Sequence, residues 1–189
     1  MSYPTLLLAL LQPEIVANVQ QLANDIQDTI REHEDELIRV AVGFVMGEAT
    51  PVAMMEFEAA VAAALREIGR RLVEDSVNRM EPDDAAQLPG ELTIHGDSHT
   101  PAATKTPHND ALCFFGKFTL DRFGWRRPDH TGPTVFPLEE SLGLIRGCTP
   151  ALAERAAWLA GNAGATQQLV IERLRKDNNV SIGHERLRA

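Results

Sequence analysis

Leu112-Cys113-Phe114-Phe115-Gly116-Lys117-Phe118-Thr119-Leu120 is the stretch on which the fold class turns. Aromatic and aliphatic side chains crowd it, so it reads as a strand, with Phe123-Gly124-Trp125-Arg126-Arg127 returning as its hairpin partner. The chain is helical in pattern on both sides. A small β-hairpin set among helices makes the expected class α+β, mostly α.

Upstream, Ile15, Val19, Leu22, Ile26, Ile30, Leu37 and Val40 recur at three, four or a multiple of them, which places one apolar stripe on a long helix. Gly43 and Gly47 interrupt that pattern. Thr50-Pro51 then supplies a capping hydroxyl with proline at the first helical position, and Phe57, Val61, Leu65, Ile68, Leu72 and Ser76 form a second stripe ending near Met80. Residues 1–80 are therefore expected as a long antiparallel helical hairpin. Its surplus apolar surface is available either for self-association or for burial under the second half of the chain. The acidic run Glu32-His33-Glu34-Asp35-Glu36 distributes around the helix and reads as a solvated face.

Pro82, Pro89, Gly90, Gly96, Pro101 and Pro107 punctuate residues 81–110, which read as a polar linker holding a short strand at 91–95. After Pro137 the helical pattern returns. Thr149-Pro150 caps a helix bearing Leu152, Ala156, Trp158 and Leu159; small residues at 161–165 break it; Thr166 opens a second helix with Leu169, Val170 and Leu174. Asp177-Asn178-Asn179 is a turn signal, and Ser181 caps a last short helix with Glu185 and Leu187. The β-hairpin and this helix-turn-helix-like unit make up the expected third segment, 111–189.

The 189 residues are 44% hydrophobic and 24% charged, enough for one domain or two small ones. The net charge of -9 is unevenly placed. Residues 1–104 hold 6 basic and 18 acidic side chains (-12), whereas residues 105–189 hold 12 basic and 9 acidic (+3). Nucleic acid is excluded as a partner of the first part. The longest apolar run, at residues 6–11, is far shorter than the roughly 20 residues a membrane helix needs, and no Lys or Arg precedes it as in a secretion signal. A cytoplasmic location is expected. Cys113 and Cys148 match no paired-ligand spacing and read as small buried hydrophobes.

Basic residues give the candidate DNA contacts. Arg126 and Arg127 stand beside Trp125 and Phe123 as a basic and aromatic cluster, and Arg173, Arg175, Lys176, Arg186 and Arg188 gather on the last two helices. His95, Asp97 and His99 alternate, which on a strand would aim them at one face, and His108 follows; imidazole and carboxylate together suit a transition metal, although a plain polar loop accounts for the same residues. The sequence contains no Gly-x-Ser-x-Gly elbow, phosphate-binding glycine loop or dinucleotide fingerprint. Neither a catalytic centre nor a cofactor is expected.

Two segments resemble a known family. Phe115-Gly116-Lys117-Phe118-Thr119-Leu120 followed by Phe136-Pro137-Leu138-Glu139-Glu140-Ser141-Leu142-Gly143-Leu144 is similar to ISKra-type insertion-sequence transposases, in which a glycine-containing strand pair leads into a proline-leucine-acid-x-x-leucine-glycine-leucine element. Residues 149–160 and the Val180-Ser181 pair before the final helix resemble the same family's helical region, so the likeness spans about 111–189. The stretch ahead of the strand pair departs from the family's basic character, with His95, Asp97, His99 and only Lys105. The resemblance implies a region that precedes a ribonuclease-H-like cutting domain, and the family's catalytic residues map onto no position here. The expected function is thus a non-catalytic DNA-recognition and assembly module that self-associates through its N-terminal helices. Two rival expectations are a protein-interaction or regulatory module without a DNA role, and a small metal-binding protein using His95, Asp97, His99 and His108.

Overall fold

The structure, a computed structural model, describes residues 12–161 and 164–187. The apolar run at 6–11, residues 162–163 of the expected helix break, and Arg188 of the candidate DNA contacts lie outside the described residues. The class is mixed α+β, 55% helix and 20% strand, so helix predominates as expected.

Helix α1 spans Gln12–Met46 and α2 spans Pro51–Asn78. The short link works because Thr50 sits in extended backbone and its Oγ1 accepts from Ala53 N at 3.1 Å, while Pro51 occupies the first turn where its missing N–H costs nothing. Gly43 lies inside α1 rather than ending it. The two helices meet through pairs that climb one while descending the other: Phe44 stacks on Phe57, Glu32 pairs with Arg71, and Asp25 pairs with Arg79. Within α2, Arg70 and Arg71 both hold Glu67, and the Arg70 guanidinium, foremost, keeps the Glu67 carboxyl down at about 2.

A 3₁₀ turn at Ala85–Gln87, capped by Asp84, leads to β1 (Leu92–Ile94), β2 (Asp97–Cys113) and β3 (Gly116–Arg126), an antiparallel sheet in the order β1-β2-β3. Two sequence expectations are corrected here. Residues 97–110, read as linker, are most of a 17-residue strand. Proline survives in β2 because the strand is bulged between Pro101 and Lys105 and again between His108 and Ala111, and because β1 covers only residues 97–99. The stretch 112–120 is not one strand but two strand ends around a turn at Phe114 and Phe115, and residues 123–126 continue β3 instead of returning as its partner. Gly116, at φ +139°, is what lets the chain leave that turn. The Phe115 ring rests on the bare backbone of Gly69 in α2, where a Cβ would lie 2.7 Å from it.

Side chains from the α2 face hold the exposed edge of β3. Glu74 accepts from Thr119 N at 3.0 Å, Asn78 donates to Thr119 O at 3.0 Å and accepts from Asp121 N at 2.8 Å, and Glu81 just beyond the helix accepts from Phe123 N at 2.8 Å. Intervals of four and three keep the donors and acceptors on one helix face, while alternate strand residues point their backbone groups the same way. An edge that would otherwise invite a foreign strand is closed.

The core has three parts. Ala111, Cys113, Phe118, Leu120 and Leu138 pack with Val73 and Val77 of α2; Phe123 and Trp125 pack with Leu88 and Ile94; and Leu112 joins the C-terminal helices. These helices are α3 (Pro137–Ser141), α4 (Pro150–Gly161), α5 (Gln167–Asn178) and α6 (His184–Leu187). Leu112 is tied to them twice through backbone, accepting from Thr149 N and donating to Gly147 O, each at 2.8 Å. Cys113 and Cys148 are both buried and unbonded, and burial pushes both thiols up, as expected of small apolar side chains. No helix among the described residues is long and apolar enough to cross a membrane.

Candidate nucleic-acid interface

The C-terminal helices are organised by their apolar faces. Leu152 and Leu159 of α4, Val170 and Leu174 of α5, and Val180 and Ile182 beyond it share one core with Leu112 and Cys148. Thr166 caps α5 by accepting from Leu169 N at 3.2 Å. Asn179 ends it in the left-handed region, φ 53° and ψ 31°, and its N–H and that of Val180 both reach Leu174 O. Asn at this position tolerates a conformation other side chains resist. Asn178, buried, anchors the turn to the β2–β3 tip by donating to Phe114 O at 2.9 Å.

This architecture leaves Arg173, Arg175 and Lys176 exposed on α5, and none forms an ion pair among the described residues. Their neighbours behave differently. Arg155 of α4 lies 4.9 Å from the Trp158 ring centroid and reaches Asp177 at 3.4 Å. Arg186 donates to Asp110 O at 3.0 Å and is partly buried, so it braces α6 against β2. Lys117 pairs with Asp110 at 2.7 Å and holds its carboxyl below the usual range.

The cluster at the other end of β3 is taken apart by the fold. Phe123 and Trp125 are fully buried, so the aromatic half of the expected basic and aromatic patch is core and cannot stack on a base. Arg127 pairs with Asp97. Arg126 keeps no carboxylate partner among the described residues; its Nε donates to Thr134 Oγ1 at 2.7 Å. Asn179 O lies beside Gly116, the first residue of β3, and Arg126 is the last residue of that strand, about 30 Å further at strand rise. The α5 cations and Arg126 thus sit on different elements, α5 and the last residue of β3.

The His and Asp residues considered as metal ligands do not converge. His95 sits in the two-residue β1–β2 turn at φ 51°, exposed, 3.5 Å from Glu140. Asp97 is engaged by Arg127, His99 is buried and donates to Asp97 O at 3.0 Å, and His108 donates to Glu139 at 2.8 Å. Alternation failed as a guide because the strand begins only at Asp97. Among the described residues no three His, Cys, Asp or Glu side chains gather as a metal ion would require. Sequence reading missed a different group, the Arg122–Glu139–His108 set, in which Glu139 joins an arginine held 3.9 Å from the Phe136 ring to a strand histidine. Residues 31 apart in sequence left no periodic trace of it.

Compared with protein-family models, curated proteins and solved structures, the chain finds no match.

Proposed function

We propose that this chain is a non-catalytic DNA-recognition and assembly module of a transposase-like protein, acting in the cytoplasm, with a helix-turn-helix-like unit formed by α4, α5 and α6 and an N-terminal helical hairpin that self-associates. The observation that carries the reading is the exposed trio Arg173, Arg175 and Lys176, without an ion pair among the described residues, on a helix fixed at both ends by caps and from beneath by a shared core. Such cations meet phosphate without first breaking internal ion pairs. Arg175 and Lys176 also suit the negative end of the α5 dipole, so their placement stabilises the helix and serves contact together. Residues 105–189 carry a net charge of +3 in a chain that is -9 overall, which agrees with this division of labour. Arg126 extends the same phosphate-contacting set, Arg188 is added to it on its charge alone, and Arg127 and Arg186 join it only by giving up internal partners.

Fluorescence anisotropy with a duplex terminal-repeat probe at graded salt tests the reading. Binding is expected at low salt, and Arg173→Ala, Arg175→Ala and Lys176→Ala together should flatten the log-affinity against log-salt slope by roughly 2 to 3. Absence of binding at low salt, or a slope the triple variant leaves unchanged, removes the DNA role.

A second reading, a protein-interaction or regulatory module without DNA, is favoured by one observation. The α1–α2 tip exposes Val45 (77%), Met46 (81%) and Met55 (69%) together, more apolar surface than scattered side chains require. Its signature is a partner retained by the triple variant.

A further inference from the structure

We propose that the cavity beside Arg126 is a phosphate-binding site, and that the phosphate it takes belongs to a nucleic-acid backbone. The cavity, about 410 Å³, opens where β2 is bulged. Pro101 pairs with Trp125 and Lys105 with Phe123, so residues 102–104 loop out opposite Gly124 alone. Bulges of this kind redirect side chains and end pairing locally. The Thr134 methyl and the Phe136 ring fill the place of a side chain at Gly124 and wall the cavity from beneath.

The donors converge and the acids are elsewhere. Thr106 and Thr134 contribute hydroxyls, Arg126 a guanidinium and His130 an imidazole, Thr100 Oγ1 donates to Arg126 O at 3.5 Å, and among the described residues no acidic residue lines the cavity. The three arginines of this strand end differ in one respect. Arg122 is neutralised by Glu139 and Arg127 by Asp97, whereas the side chain of Arg126 bonds, among the described residues, the neutral Thr134 hydroxyl. That hydrogen bond uses Nε and fixes the plane of the guanidinium, which leaves its two terminal nitrogens for a second, anionic acceptor. A planar fork with hydroxyl donors around it matches phosphate oxygens in geometry and charge. The volume exceeds a bare phosphate and suits an attached sugar, within the range of small-ligand cavities.

The backbone as the source of the phosphate rests on the DNA reading above; the cavity's preference for phosphate does not. Inorganic phosphate is the first probe, followed through the His130 ring resonances of the full chain against sodium chloride of matched ionic strength. Saturable shifts specific to phosphate, weakened about tenfold or more in Arg126→Gln, are expected. Equal shifts with chloride, no shift, or a response indifferent to Arg126→Gln overturns the site. Duplex binding is the second arm: Arg126→Gln should weaken it and lower the salt slope by about 1. Phosphate binding with duplex affinity unchanged in Arg126→Gln supports the cavity and overturns the backbone as its source. A duplex that fails to bind wild type overturns the DNA reading and the backbone source together, while the phosphate shifts still decide the cavity.

Discussion

Asn78 makes two hydrogen bonds to the edge of β3, one to Thr119 O and one from Asp121 N. Truncation to Ala would strand both strand groups in a partly covered crevice, at a cost of about 1–3 kcal/mol. Denaturant unfolding of Asn78→Ala should show that loss, and a change below about 0.5 kcal/mol would remove this clamp from the account. Glu67 makes a prediction about pH. Its carboxyl, ordinarily near 4.5, is held at about 2 chiefly by the Arg70 hydrogen bond. A folded value below the unfolded one means the contribution is complete above about pH 4.5 and fades as pH falls toward 2. Glu67→Gln should therefore unfold more easily than wild type at pH 7, with the gap closing between pH 4.5 and 2. A gap that does not change with pH would sink the assignment.

At the scale of elements, local signals were legible where one residue settles one backbone choice. Thr50-Pro51 starts α2, Thr166 starts α5 and Asn179 ends it, because a hydroxyl cap or a left-handed turn needs only its immediate neighbours. The strands were legible in existence but not in extent. Pro101 and Pro107 read as breakers, yet a bulged strand with an open edge accommodates them. Phe114 and Phe115 carry no turn signature, and their turn is set by Gly69 beneath Phe115 and Asn178 holding Phe114 O. Candidate sites fared likewise: Arg173, Arg175 and Lys176 were nameable from charge alone, whereas the Arg126 cavity depends on a bulge that sequence does not announce.

Across the whole molecule, charge and apolar surface are segregated. The first 104 residues carry -12, a charge that repels DNA from the helical end. A paired Val45→Glu and Met46→Glu substitution at the exposed tip should lower any concentration-dependent association in sedimentation velocity, with helical content unchanged by circular dichroism. Association that survives the pair would place the contact elsewhere on α1 and α2 or abolish that part of the proposal. Duplex affinity per chain should be preserved, since the substituted residues sit far from β3 and α5.

The sequence by itself determined the helical majority, the caps, the buried character of both cysteines and the split of charge between the two ends. Each follows from near neighbours or from composition, which a linear reading contains. Only the tertiary structure decided that the Pro-rich stretch is a strand, that Phe123 and Trp125 are core, that four scattered His and Asp residues stay apart, and which arginines lack a carboxylate partner among the described residues. Those outcomes hang on pairings such as Asp97 with Arg127, Glu81 with Phe123 and Asp110 with Arg186, 30 to 76 positions apart, and such pairings are chosen by packing, which no local pattern encodes.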